Sequence, residues 1–449
     1  MCIPSSTNPT TTYDPAHCAL RHLFEYVTYR ALVRWGANGS VKSVDETVDW
    51  SVDKSSVRSE DDKSTDGQII SILLTNPQRN VKGITMTSWK KEEIEIADGT
   101  KVLAQIPVIV SASRSTDIPA FYSDWFMERL KAGYVKWFNP FNGVPLYVGF
   151  KKMRCIVFWS KNPRPMLAHL DALDAICPNY YFQFTLNDYD VERIEPRVPP
   201  LDERVETFKR LSERLGKDRV VWRFDPLILT DKLSVSDILA KVERLGDQVA
   251  QYTSRLVFSF IDINAYKKVS GNLKKGGVNA HEFTPDEMCA VAQRIGELAK
   301  GWGITAATCG EIKDLDQYGV EHNRCIDDRL MIKCFSHDKC LMDFLAGDNS
   351  VGRARRALRR QYEIPSLPSF ESDVSISSQY TKLKDKGQRL ACGCIMSKDI
   401  GEYNTCPHLC HYCYANSNNA TALANWKCHC ICPHAETITG NASVEARCA

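Results

Sequence analysis

The chain reads as an α/β protein: a parallel (β/α) barrel or partial barrel with a cysteine-rich loop near its C-terminal end. Three observations predict this. Six short apolar runs alternate with helical segments between residues 91 and 340. Each run turns polar where it stops, and in parallel sheets ligands collect beyond the carboxyl ends of the strands. No glycine-rich dinucleotide fingerprint follows the first run, which argues against the alternative, an open doubly wound sheet.

The first run is Val108–Ser113, and Ala120–Lys131 follows with Phe121, Trp125, Phe126 and Leu130 at helical spacing. Cys155–Trp159 is the second strand, with a helix over Pro165–Ile176. Tyr181–Leu186 is the third, followed by a charged amphipathic helix over Asp202–Leu215. Arg219–Phe224 then pairs with a helix at Val235–Tyr252. Leu256–Ile261 pairs with one at Pro285–Trp302, and Ile304–Cys309 closes the series. This alternation implies βαβ units with right-handed crossovers. The polar residues at the run ends are Ser111, Ser113, Arg114 and Asp117; Ser160, Lys161 and Asn162; Thr185 and Asn187; Arg223 and Asp225; Asp262 and Asn264; Cys309 and Glu311.

Outside this core, residues 1–90 read as an N-terminal extension. It carries one candidate helix at His17–Trp35 and a disordered stretch at Ser40–Gly67, rich in Ser, Asp, Lys and Val. Residues 341–418 form a C-terminal segment and 419–449 a cysteine-rich tail. Arg353–Arg360 packs five arginines into eight residues, read as a solvated face ahead of a nucleic-acid contact. A net charge of +2 supplies no global attraction to nucleic acid or anionic lipid. No apolar run approaches the ~20 residues that span a membrane, and the polar N-terminus lacks the apolar core of a signal peptide.

Nine of the 18 cysteines fall after position 390. In a large chain without an export signal, that distribution favours metal binding in a reducing, cytoplasmic compartment over disulfides. Cys406, Cys410 and Cys413 are spaced C-x3-C-x2-C, with Tyr412 before the last. Three thiolates on one short loop suit three corners of a 4Fe–4S cluster and leave one iron open. Zinc, with His408 or His411 as fourth ligand, is the rival reading. Cys392 and Cys394 flank Gly393, and with Cys309 and Cys325 they make a candidate auxiliary iron–sulphur cluster with all four ligands supplied. Buried, inert thiols are the alternative for Cys309 and Cys325. Cys428, Cys430 and Cys432, with His429 and His434, are either a second metal group or an unstructured tail.

The triple has the spacing of radical S-adenosylmethionine enzymes, which normally carry it near the N-terminus. The chain resembles an uncharacterised bacterial and archaeal family, known only as a domain of unknown function, with such a cluster at its C-terminal end. The resemblance rests on Val110–Asp117, Phe158–Pro163, Trp222–Pro226, Cys309–Glu311, Cys325–Asp327 and Lys384–Asn416. A looser similarity ties the Ser-Lys-Asn-Pro and Arg-Phe-Asp-Pro strand ends to the spore photoproduct lyase group. The resemblance implies a permuted barrel with the cluster loop last. It also implies a 4Fe–4S cluster on Cys406, Cys410 and Cys413, S-adenosylmethionine as cofactor, and an electron donor such as a ferredoxin or flavodoxin. Arg114, Lys161 and Arg223 are then candidates for carboxylate or phosphate contacts. Asp117, Asp225 and Glu311 are candidates for ribose hydroxyls or the amino group. Two readings from other classes stand beside it: a non-catalytic iron–sulphur electron carrier or redox sensor, and a zinc-stapled nucleic-acid-binding protein.

Overall fold

The computed structural model describes residues 89–139, 142–346, 383–389 and 391–440. Of the two units into which the chain divides, Met1–Gly83 and Ile84–Ala449, every described residue belongs to the second. The expected helix at His17–Trp35, the stretch at Ser40–Gly67 and the Arg353–Arg360 run lie outside the described residues.

The strands in chain order are β1 (Lys91–Glu95), β2 (Lys101–Gln105), β3 (Ile109–Ala112), β4 (Tyr134–Phe138), β5 (Pro145–Gly149), β6 (Cys155–Ser160) and β7 (Tyr180–Thr185). They continue as β8 (Val220–Leu227), β9 (Leu229–Thr230), β10 (Arg255–Phe260), β11 (Ala280–His281), β12 (Thr305–Thr308), β13 (Val320–His322) and β14 (Lys398–Asp399). An eight-stranded sheet in the order β13-β12-β10-β8-β7-β6-β3-β14 forms the body, and each neighbouring pair is parallel. A smaller sheet, β1-β2-β5-β4, flanks it. Among the described residues the large sheet forms no closed barrel, because β13 and β14 remain separate edges.

The chief helices are α1 (Ser123–Ala132), α2 (Leu170–Ile176), α3 (Leu201–Leu215), α4 (Val235–Val249), α5 (Lys267–Lys275), α6 (Pro285–Trp302), α7 (Asp328–Phe335), α8 (Lys339–Ala346) and α9 (Asn419–Ile431). α4 and α6 start at capping boxes, Ser234 with Asp237 and Thr284 with Glu287. Each box satisfies otherwise unpaired N-terminal amides.

Both faces of the large sheet are buried, as an all-parallel sheet requires. Val110, Phe158, Phe182, Trp222 and Phe258 on one face pack with Phe126, Leu211, Leu245 and Ile295 of the covering helices. The alternate residues Ile109, Cys155, Tyr181, Val221 and Val257 form a second core with Ile326, Met331 and Leu341. Further along the same face, two residues on, stand buried Ser111, Gln183, Arg223 and Ser259. The inner face thus runs from apolar to polar toward the carboxyl ends, and that gradient locates the site.

Several expectations need correction. The sheet has two strands beyond the six expected, β13 and β14, and the flanking sheet carried no recognised signal. The helix expected over Ala120–Lys131 is broken. Ile118–Phe121 forms one turn capped by Asp117, and α1 starts afresh at Ser123. Pro165–His169 is a 3-10 turn leading into α2. The cysteine-rich tail, read as either a second metal group or an unstructured segment, is helical over α9 and packs on the core. Trp426 meets Phe121 and Tyr122 edge-on, and Trp125 Nε1 donates to Ala435 O at 2.8 Å. Among the described residues no helix is long and apolar enough to cross a membrane.

Candidate metal-thiolate site

β14 is only two residues long, and it pairs with β3, Lys398 opposite Val110 and Asp399 opposite Ser111. The loop that follows therefore starts at the carboxyl edge of the sheet. Asp399 clamps its base: the carboxylate accepts from Ser111 Oγ at 2.7 Å, Arg114 N at 2.8 Å and Gly401 N at 3.0 Å. A Cβ at Gly401 would lie 1.9 Å from Ser113 Oγ, so only glycine permits this approach. Between the first two cysteines, Leu409 takes a left-handed conformation at φ 57°, unusual for a residue with a Cβ. Asn416 Nδ2 donates to Cys406 O at 2.7 Å, and Asn272 Nδ2 of α5 donates to Cys413 O at 2.8 Å and Asn416 O at 2.7 Å.

The three thiols lie near enough to influence one another, although they do not converge as the ligands of a single ion. Burial, then repulsion from Asp117 and Cys413, pushes the Cys406 thiol up to about 12. Burial likewise lifts Cys410 well above its ordinary value and raises Cys413. Such thiols stay protonated at neutral pH until a cation takes the proton's place. Asn416 N donates to Cys413 Sγ at 3.3 Å. His408 is not free to complete a tetrahedral zinc site, whereas His411 Nδ1 is buried without a hydrogen-bond partner. His408 Nε2 pairs with Asp117 Oδ2 at 2.8 Å and its Nδ1 lies 3.3 Å from Arg197 O. His411 is lodged against Gly276, where a Cβ would fall 1.5 Å from Nδ1.

The polar strand ends meet this loop. Lys161 Nζ donates to Glu195 Oε1 and to Tyr412 Oη, both at 2.7 Å, and Tyr412 Oη donates to the same carboxylate. Asn187 Nδ2 reaches Tyr412 Oη at 3.1 Å. Burial opposes ionisation of Glu195, but Lys161 and Arg204 outweigh it and hold the carboxyl at about 2. Asp117 accepts from Ser160 Oγ and Lys161 N, each at 2.7 Å. Arg223 pairs with Asp225, whose other oxygen accepts from Ser259. Asp117, Lys161, Arg223 and Asp225 are thus committed to one another or to the loop.

Arg114 and Glu311 differ. Arg114 Nη2 is buried without a hydrogen-bond partner, while the guanidinium lies over Trp159 and 3.8 Å from Asp385. Burial pushes Glu311 up to about 7, although Phe260 N donates to it at 3.2 Å.

The four remaining predicted cysteines also come together. The Cys309 and Cys325 Sγ atoms are 3.3 Å apart, and Cys394 is linked through its side chain to both Cys325 and Cys392. Backbone amides of Cys325 and Ile326 donate to Cys394 Sγ at 3.2 and 3.4 Å. Arg223 Nη1 and Asn323 Nδ2 donate to Cys325 Sγ at 3.1 and 3.4 Å. The contact is serial, and among the described residues no three such groups gather as the ligands of one ion.

A family model described as "Domain of unknown function (DUF1848)" matches residues 109–415. The chain belongs to this family. The match opens at β3 and closes just past Cys413, so it takes in the whole large sheet and both thiol groups. No curated protein matches the chain.

Glu195 and Asp399 escaped the sequence reading, while Asn187 stood there only as a strand-end polar residue, Tyr412 only as a neighbour of the cysteines and His408 only as a rival zinc ligand. Tyr412 and His408 sat inside the quoted motif, so their adjacency to the cysteines was a usable signal. Glu195 lies in the irregular segment after β7, away from any strand end, and nothing local marks it.

Proposed function

We propose that this chain is a radical S-adenosylmethionine-type iron–sulphur enzyme in which Cys406, Cys410 and Cys413 hold a 4Fe–4S cluster. The observation that carries the reading is the loop itself. Three thiols lie on one short loop at the polar edge of a parallel sheet, near enough to influence one another, and the neighbouring His408 is engaged by Asp117. A three-thiolate set leaves one iron open, as a reactive site needs. When bound, the cluster with S-adenosylmethionine supplies an electron and a deoxyadenosyl radical for hydrogen abstraction from a substrate.

The protein's part is to hold, orient and exclude water. The Lys161–Glu195–Tyr412 group pins the loop to β6 and the segment after β7. Arg114 keeps an unpartnered guanidinium nitrogen for a carboxylate, and Glu311 suits a ribose hydroxyl or amino group. In this reading the sheet is a partial barrel in permuted order, with β14 in the place usually taken by a first strand. A ferredoxin or flavodoxin is the expected electron donor.

The test is anaerobic reconstitution with iron and sulphide, followed by reduction in the presence of S-adenosylmethionine. Deoxyadenosine should form, and the cofactor should change the electron paramagnetic spectrum of the reduced cluster. Cys410→Ala should abolish both. Survival of the spectral change in that variant overturns the open-iron assignment. Iron and sulphide without deoxyadenosine would favour an electron carrier, and a colourless, zinc-loaded protein would remove both iron readings.

A further inference from the structure

We infer that Cys309, Cys325, Cys392 and Cys394 hold a second iron–sulphur cluster, closed by four protein thiolates and separate from the triad. The four come from three places in the fold. Cys309 follows β12, Cys325 follows β13, and Cys392 and Cys394 precede β14. β13 and β14 are the two edges of the large sheet, and contacts among these thiols link the residues after β12 and β13 to those before β14.

Chance clustering of buried, inert cysteines does not account for the donors around them. A neutral thiol is a weak acceptor and a thiolate a strong one. Here Cys394 Sγ receives two backbone amides, from Cys325 and Ile326. Cys325 Sγ receives the Arg223 guanidinium and the Asn323 amide. Donors aimed at sulphur are a recurring means of setting cluster potential.

The serial arrangement decides between ligands. The ligands of one tetrahedral ion converge on a point, whereas here Cys309 meets Cys325, Cys325 meets Cys394 and Cys394 meets Cys392 in turn. A row of four thiols suits a body with several irons, each taking one thiolate. Loading requires Cys309 and Cys325, now 3.3 Å apart, to swing onto separate irons by side-chain rotation. Each thiol that binds releases its proton. With all irons held by protein, such a centre passes electrons and does not bind substrate.

Its placement fits that role. Arg223 Nη1 touches Cys325 Sγ, and its Nε donates to Asp225 Oδ2 at 3.1 Å. Asp225 N donates to Asn187 Oδ1 at 2.9 Å, and Asn187 Nδ2 donates to Tyr412 Oη at 3.1 Å. A continuous line of hydrogen-bonded residues therefore joins the four-thiol group to the loop of the triad.

The experiment is anaerobic reconstitution of the full chain beside two variants, C406A/C410A/C413A and C392S/C394S. Iron and acid-labile sulphide should fall from about eight of each per chain to about four in either variant. The reduced triple variant should keep a paramagnetic signal indifferent to S-adenosylmethionine. Should either variant fail to fold, wild-type protein carries the test alone through a second signal the cofactor leaves unmoved. A triple variant that folds and holds no iron, or one zinc instead, overturns the proposal. So does a folded C392S/C394S protein that retains all its iron, or wild-type protein with a single cluster signal. Absence of cofactor cleavage with the second signal intact counts against the radical reading only.

Discussion

Ser111 donates to the Asp399 carboxylate at 2.7 Å, joining residues 288 positions apart. This contact fixes a two-residue strand to the edge of the large sheet and so determines where the cysteine loop begins. Asp399 also collects the amides of Arg114 and Gly401. Asp399→Ala should leave these donors without an acceptor, at about 1–3 kcal/mol for each one buried. The urea midpoint should drop, and iron retained through anaerobic gel filtration should fall with it. An unchanged midpoint would mean the loop is anchored elsewhere.

Gly276 and His411 form a second anchor. Gly276→Ala should displace the histidine and destabilise the fold by about 1–3 kcal/mol, the usual range for overpacking. Because the clash is with the imidazole itself, combining G276A with H411A should recover much of the loss. A thermal-denaturation double-mutant cycle reads this coupling. Additive effects would refute it.

Glu195→Gln should leave Lys161 as an unpaired buried cation, a change of about 3 kcal/mol or more. The pH dependence follows from the lowered carboxyl. Its folded value of about 2 lies below the ordinary 4.5, so the unfolded state binds the proton first as pH falls. The stabilisation is complete above the ordinary value and is lost as pH drops toward the folded one. Urea titrations of wild type and variant should therefore differ most at neutral pH and converge in acid. A gap that is constant with pH would contradict the ion-pair account.

Removal of residues 419–449 should expose Phe121, Tyr122 and Trp125, which α9 and the segment after it cover. The truncated protein should melt lower and associate on size-exclusion chromatography. A monomeric, equally stable truncation would show that this packing contributes nothing.

Much of the core was legible in sequence. The expected strand at Cys155–Trp159 appears as β6, and that at Leu256–Ile261 as β10, one residue earlier. α6 runs from Pro285 to Trp302 as expected, because Thr284, Pro285 and Glu287 mark its start. β14 was not legible, since Lys398–Asp399 is too short for any periodicity. β1 and β2 escaped for another reason: exposed and half-buried residues alternate with only Ala104 deeply buried, and Lys91, Glu93 and Glu95 cover the outer face of β1. Within the site, the residue types at the strand ends were readable, but their partners were not. Arg223 and Asp225 are two apart and locally paired, whereas Asp117 and His408 are separated by 291 positions.

The sequence by itself determined the alternation of strands and helices, the polar carboxyl edge and the three-thiol loop. Each of these is local: periodicity, turn chemistry and spacing act over a few residues. Only the tertiary structure decided that β14 lies beside β3, that the loop meets Lys161 and Glu195, and that Cys309 and Cys325 face Cys392 and Cys394. The reason is that a parallel strand finds its neighbour through side-chain packing and backbone pairing across hundreds of residues. No short stretch of chain carries a record of that choice.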